Sequence, residues 1–137
     1  MSKIYLTHCS AKKNDAPRGT GRKVTPDLLY SATPTRRFME RCERKRGQWA
    51  IFSDHYGVWL AKEEREWYGD DVGDPNRVTE ERFWRLVDNF DERLADFDVI
   101  YFYHNPGRFH PIYKRLLDET RLKSRVVLIT HLREIMR

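Results

Sequence analysis

Four short runs rich in β-branched and aromatic residues punctuate the chain: Ile4 to Thr7, Trp49 to Phe52, Val99 to Tyr103 and Val126 to Thr130. Runs this brief and this continuously apolar predict strands buried on both faces. Amphipathic stretches lie between them. From Thr79, a good N-cap followed by Glu80 and Glu81 at the positive end of the helix dipole, apolar side chains recur at Phe83, Val87, Phe90 and Leu94. A second helix starts at Thr33-Pro34, presents Phe38, Met39 and Cys42 on one face and stops near Gly47; a third begins at Pro111 with Tyr113, Leu116 and Leu117 turned inward. Leu60 to Tyr68 reads as a further short helix. Strands that alternate with helices need crossover connections, so the expected architecture is a single α/β domain over residues 1–137, with three α/β/α layers around a mostly parallel four-stranded sheet.

Two segments lack this patterning. Residues 14–25 form a basic loop (N-D-A-P-R-G-T-G-R-K and onward) and residues 69–78 an acidic one. Aromatic residues make up 13% of the chain, which excludes disorder over most of its length. The net charge of +5 favours acidic partners such as nucleotides or nucleic acid. Cys9 and Cys42 are too few for a disulfide scaffold and lack the spacing of a zinc motif, so both should be reduced. No apolar run approaches the roughly 20 residues of a membrane helix, and Met1-Ser2-Lys3 leads directly into a strand where a secretory signal would stand. The expectation is a cytoplasmic protein with no membrane partner.

In open α/β sheets ligands sit beyond the carboxyl ends of the strands. The residues there are His8, Cys9, Ser10, Lys12 and Lys13 after the first strand; Ser53, Asp54, His55, Tyr56 and Gly57 after the second; His104, Asn105 and Arg108 after the third; and His131 after the fourth. Cys9 has cationic sequence neighbours that could depress its pKa and make it a nucleophile, although a small buried cysteine fits the same place. Cys42, on an apolar helix face, reads as core. Arg18, Arg22 and Lys23 could clamp a phosphate with the help of Gly19 and Gly21, or could belong to a solvated loop. Cys9 with His8, His55, His104 and His131 would be acceptable zinc ligands by type, but no local ligand pair supports a metal, and no cofactor is called for.

The segments I-Y-L-T-H-C-S-A-K-K, L-L-Y-S, F-M-E-R, W-A-I-F-S-D-H-Y-G-V-W and W-Y-G-D follow one another between Ile4 and Asp70. In that order they resemble small cytosolic domains with a C-S-x-x-K start and an S-x-x-Y-G-[LV] second strand end, which are similar to the catalytic domain of the archaeosine synthase family. The resemblance implies a Rossmannoid fold like that of uracil-DNA glycosylases and chemistry on the nitrile of 7-cyano-7-deazaguanine. Cys9 would attack the nitrile; Lys13 would lower the thiol pKa or protonate the nitrile nitrogen; His55 or His104 would shuttle protons. Asp54 would orient a histidine or bind the base edge, and Tyr30 and Tyr56 would stack on the heterocycle. Cys9 and Lys13 keep the C-x3-K spacing of that family, but His8 and Asn14 stand where it has prolines. If Tyr30 is the motif tyrosine, Thr33 and Arg36 stand at its serine and histidine positions. With no tRNA-binding part in the chain, a smaller purine-like base or nucleotide is the expected partner, with tRNA or DNA as further candidates. Cys9, Lys13, Tyr30, Ser53, His55 and Arg108 should then line one pocket, with Ser10, Gly57 and Asn105 on the substrate side. Two other classes remain open: a nucleotide- or nucleic-acid-binding module without chemistry, and a hydrolase that uses Asp54 on an N-glycosidic bond.

Overall fold

A computed structural model describes residues 2–10, 12–69, 75–104 and 109–136. In chain order its elements are β1 (Lys3–His8), β2 (Lys23–Val24), α1 (Pro26–Leu29), α2 (Thr33–Arg44), β3 (Trp49–Ser53), β4 (Gly57–Leu60), β5 (Arg65–Glu66), α3 (Glu80–Arg93), β6 (Val99–Tyr103), α4 (Pro111–Glu119) and β7 (Val126–Ile129). The main sheet runs β4-β3-β1-β6-β7. Its strands β3, β1, β6 and β7 are parallel, and these are the four runs singled out by their apolar continuity. The sheet is nevertheless five-stranded and mixed. β4 pairs antiparallel with β3 through the register Ser53↔Gly57 to Ala50↔Leu60, a strand that the apolar pattern does not separate from the loop before it.

Alternation along the strands splits the core into two layers. Ile4 and Leu6 of β1, with Ala50, Phe52, Ile100 and Phe102, face α3 and α4. Tyr5, Trp49, Ile51 and Trp59 face α2 through Phe38, Met39 and Cys42. Helices thus cover both faces of the sheet, as parallel strands require. β1 is central, with β3 on one side and β6 on the other, so the chain reverses its direction of sheet growth at β1. That is the topological switch point at which doubly wound sheets open a crevice.

The helix starts follow their sequence signals. Thr79 caps α3 by accepting from the Arg82 amide at 3.2 Å, and the His110 ring accepts from the Ile112 amide ahead of Pro111 at the start of α4. Thr79→Ala should cost ~1 kcal/mol, read as a lower urea midpoint at unchanged slope.

Two expectations need correction. Leu60 to Tyr68 is not helical: Leu60 ends β4, and Arg65–Glu66 pairs antiparallel with Lys23–Val24. The unbroken charged run Lys62 to Glu66 offers no apolar face for a helix to bury. The basic loop is correspondingly anchored. Besides β2, its base is closed by Asn14 N–H to Leu29 O and Ser31 N–H to Lys12 O around a Lys13–Tyr30 bridge, and Arg18 lies 4.7 Å from the Trp67 ring centre. Of the acidic loop, residues 70–74 lie outside the described residues, and Pro75–Arg77 forms a 3-10 turn. Among the described residues no helix is long and apolar enough to cross a membrane.

Candidate functional site

Because β1 and β3 are parallel neighbours, their carboxyl ends emerge side by side. The ladder continues one residue beyond β1, with the Cys9 amide donating to Phe52 O at 2.9 Å. Past Phe52 the chain must turn at once into β4. Ser53, fully buried, accomplishes this by accepting from the amides of both His55 and Tyr56 at 3.0 Å, a side-chain-stapled turn of the kind serine supports. Asp54 is carried over the end of β1 and is itself only 1% exposed.

The Cys9 thiol donates to Asp54 Oδ1 at 3.4 Å and lies 3.4 Å from the Tyr113 hydroxyl on α4. Two further phenols close the cluster: Tyr30 and Tyr68 are buried with their hydroxyls in a short mutual hydrogen bond. The Lys13 ammonium sits 4.5 Å from the Tyr68 ring centre and 6.0 Å from that of Tyr30. His8 stacks on Tyr113 at 5.0 Å. The other oxygen of Asp54, Oδ2, is buried and has no hydrogen-bond partner among the described residues. An unsatisfied carboxylate oxygen in a native core is costly, and an incoming donor is one way to relieve the cost.

Electrostatics here oppose the expectation from the sequence neighbours of Cys9. Burial, and then the adjacent Asp54 charge, push its pKa up to about 11, so the thiol is protonated at neutral pH. Lys12 and Lys13 follow Cys9 in the chain, but the groups packed against its sulfur are a carboxylate and phenols. Asp54 is itself raised by burial; the Cys9 hydrogen bond and the charges of Lys13 and Arg82 pull it partly back. Burial holds Tyr30, Tyr68 and Tyr113 well above the usual phenol range and keeps His8 below the usual histidine value.

The structure therefore brings together Cys9, Lys13, Tyr30, Ser53 and Asp54, with Ser53 serving the turn. His55 stands at the border: it stacks on Tyr68 at 5.1 Å, but its Nδ1 faces the Arg82 guanidinium at 2.9 Å and burial lowers its pKa. Asp54 accordingly bonds a thiol in place of the expected histidine. Tyr56 donates to Glu66 O and lies under the Arg65 guanidinium. Gly57 is a hairpin residue at φ +80°, and Ser10 accepts from Thr35 of α2. His104 stacks on Phe109 at 4.5 Å with Nδ1 buried and unpartnered among the described residues. Arg22 and Lys23 are exposed, His131 is an exposed cap of the last turn, and Cys42 is core. Asn105 and Arg108 lie outside the described residues. Among the described residues no three His, Cys, Asp or Glu side chains are grouped as a metal site would need.

Three residues of the site escape sequence reasoning. Tyr113 reads as core from its helical position alone, yet a buried phenol needs a partner for its hydroxyl, and that requirement is a usable signal. Tyr68 lies within the W-Y-G-D segment. Arg82 carries no local signal. Openings beside the cluster include a groove of about 1010 Å³ between the basic loop and α2, reached by Lys13 and Tyr30, a cavity of about 110 Å³ lined by Thr7, His8, Ser10, Thr35 and Tyr103, and one of about 550 Å³ lined by His55, Tyr56 and Arg82. Comparison with protein-family models, with curated proteins and with solved structures finds no match to this chain.

Proposed function

We propose that the protein modifies a purine-like base of the 7-deazaguanine type, with Cys9 adding to a nitrile carbon and Asp54 accepting the thiol proton. The observation that carries the reading is the Cys9 Sγ to Asp54 Oδ1 hydrogen bond, formed by a carboxylate whose second oxygen is buried and unpartnered among the described residues. A resting thiol suits this reaction. As the S–C bond forms and one π bond of the nitrile breaks, the thiol proton passes to Asp54 and from there to the nitrogen, leaving a neutral thioimidate. A primary amine then displaces sulfur, giving an amidine and restoring the thiol. Tyr30 and Tyr68, both buried, place their hydroxyl groups at the edge of the same cluster, so Tyr30 is not exposed to stack on a base as the sequence suggests. The switch-point position of Cys9 and the helices on both faces of the sheet support the glycosylase-like Rossmannoid reading of the fold.

Incubation with 7-cyano-7-deazaguanine should raise the intact mass of the protein by the whole mass of the base, with the adduct on the Cys9 peptide and none on Cys9→Ala. No adduct on the wild-type protein at any pH between about 6 and 10 would overturn the nitrile mechanism. The rate should rise as pH increases through the raised pKa of Asp54, because the base must be ionised. It should then stay level until the thiol itself ionises near about 11.

The unpartnered Asp54 oxygen also favours a second reading, in which Asp54 activates water against an N-glycosidic bond. A change at Asp54 cannot separate the two, since this residue also bonds Cys9. Cys9→Ala can: a glycosidic hydrolase keeps its turnover in that variant, and a thiol enzyme loses it.

A further inference from the structure

α3 docks on the sheet through Phe83, Leu86, Val87 and Phe90, and most of its arginines serve surface ion pairs: Arg85 pairs with Glu81 and Arg93 with Glu63. Arg82 does something else. It has no carboxylate partner among the described residues, and its guanidinium grips the two residues of the β3–β4 turn that include the proposed base. Nε donates to Asp54 O at 3.2 Å, one terminal nitrogen donates to His55 O at 2.8 Å, and the same nitrogen faces His55 Nδ1 at 2.9 Å. A planar fork that spans two successive carbonyls fixes the orientation of the peptide between them, which an ammonium cannot do. The side chain of Asp54 leaves the backbone at that held peptide, and its Oδ1 meets the Cys9 thiol.

We infer that Arg82 is a positioning residue, which reaches from α3 to hold the Asp54 carboxylate on the Cys9 thiol and fixes His55 as an Nδ1 acceptor in doing so. The inference rests on the proposed function only in taking Cys9 and Asp54 as the working pair. Its geometric content stands apart from the identity of the substrate. Asp54 is faced by Cys9 just past β1, Lys13 from the segment beyond it, Tyr113 from α4 and Arg82 from α3, so loss of the Arg82 fork leaves other groups able to draw the carboxylate elsewhere.

The state of this pairing can be read without any turnover, because the Asp54 charge is one of the two causes that raise the Cys9 pKa. The test is the rate of Cys9 alkylation by iodoacetamide between about pH 7 and 10, where the thiolate fraction controls the rate. Peptide mass counts Cys42 separately, and the proteins compared are wild type, Arg82→Lys, Asp54→Asn and the double variant. Asp54→Asn should displace the alkylation profile to lower pH, and at pH 8 the rate should rise by up to about tenfold for every pH unit the profile moves. Arg82→Lys keeps the positive charge but loses the fork; it should move the profile in the same direction, and the double variant should move it no further than Asp54→Asn alone. Near-uv circular dichroism of each variant reports whether the fold is retained, and Arg82→Gln provides a second carrier of the same test. If Arg82 merely docks the helix, both Arg82 variants will lower the unfolding midpoint and leave the alkylation profile of Cys9 unchanged, which overturns the inference. An additive double variant overturns it as well. Failure of the wild-type protein to form a nitrile adduct would instead remove the proposed reaction and leave this comparison intact.

Discussion

Replacing Asp54 by asparagine should slow formation of the Cys9 thioimidate by about 10²- to 10⁴-fold, the usual contribution of a positioned general base, while making the same thiol more reactive toward iodoacetamide. The opposite signs identify the role. In the nitrile reaction the carboxylate must take the thiol proton and return it to nitrogen, and an amide can do neither. In simple alkylation only the thiolate matters, and the Asp54 charge suppresses it. The measurement is the time course of intact mass with each reagent at pH 8; equal slowing of both reactions would show that Asp54 shapes the pocket without moving a proton. Asp54→Asn should not destabilise the protein. The folded-state pKa of Asp54 is raised by burial, so its ionised form costs stability at pH above both the folded and the unfolded values, and that cost disappears as pH falls through the folded value toward the unfolded one. At pH 8 removal of the charge should leave the thermal midpoint unchanged or raised, which separates lost chemistry from lost fold.

Gly57→Ala should cost ~2–4 kcal/mol, the sum of a backbone cost and a lost hydrogen bond. Gly57 adopts φ +80°, the left-handed region where any Cβ costs about 1–2 kcal/mol. A Cβ there would also drive into the side-chain amide of Asn89, whose Oδ1 accepts from the Val58 amide at 2.8 Å, so an edge-strand hydrogen bond of ~1–2 kcal/mol is lost as well. Gly21 supplies the control. It has φ +72° with open space around its Cβ position, so Gly21→Ala should carry the backbone cost alone. Urea titration of both variants gives the difference; equal midpoints would mean that Asn89 yields freely and that the β4 edge is not held as described. Because Ser53 and Gly57 are paired across the turn that carries Asp54, Gly57→Ala should also impair Cys9 chemistry. Gly57 is therefore tied to the fold of the site through its turn.

Local pattern is enough for the elements whose environment is uniform along their length. A strand buried on both faces has to be apolar at every position, which is why β1, β3 and β6 stand out; β7 is as apolar, yet it is an edge strand that leaves Val127 and Leu128 exposed, so the expectation that it is buried on both faces fails there. Helices α3 and α4 are legible from periodicity joined to an N-terminal signal, Thr79 in one and Pro111 in the other. The placement of Cys9, Ser53, Asp54 and His104 at carboxyl ends of strands follows from those assignments. Which side chains meet there is not written in the chain order. Cys9 finds Asp54 across 45 residues and Tyr113 across 104, through parallel strand pairing and a helix packed behind it. For that reason chain neighbours mislead about the pKa of Cys9: Lys12 and Lys13 adjoin it in sequence, whereas desolvation and the Asp54 charge arise from segments that only the folded sheet brings alongside. β4 is obscured for a related reason. A strand this short, directly after the tight turn that Ser53 staples, has too little length to display a period of its own, and it is held by its β3 ladder and by Asn89 from α3. Residue type and spacing thus determined what each segment could become, and the environment of each reactive group, which depends on contacts between distant segments, was decided by the tertiary structure.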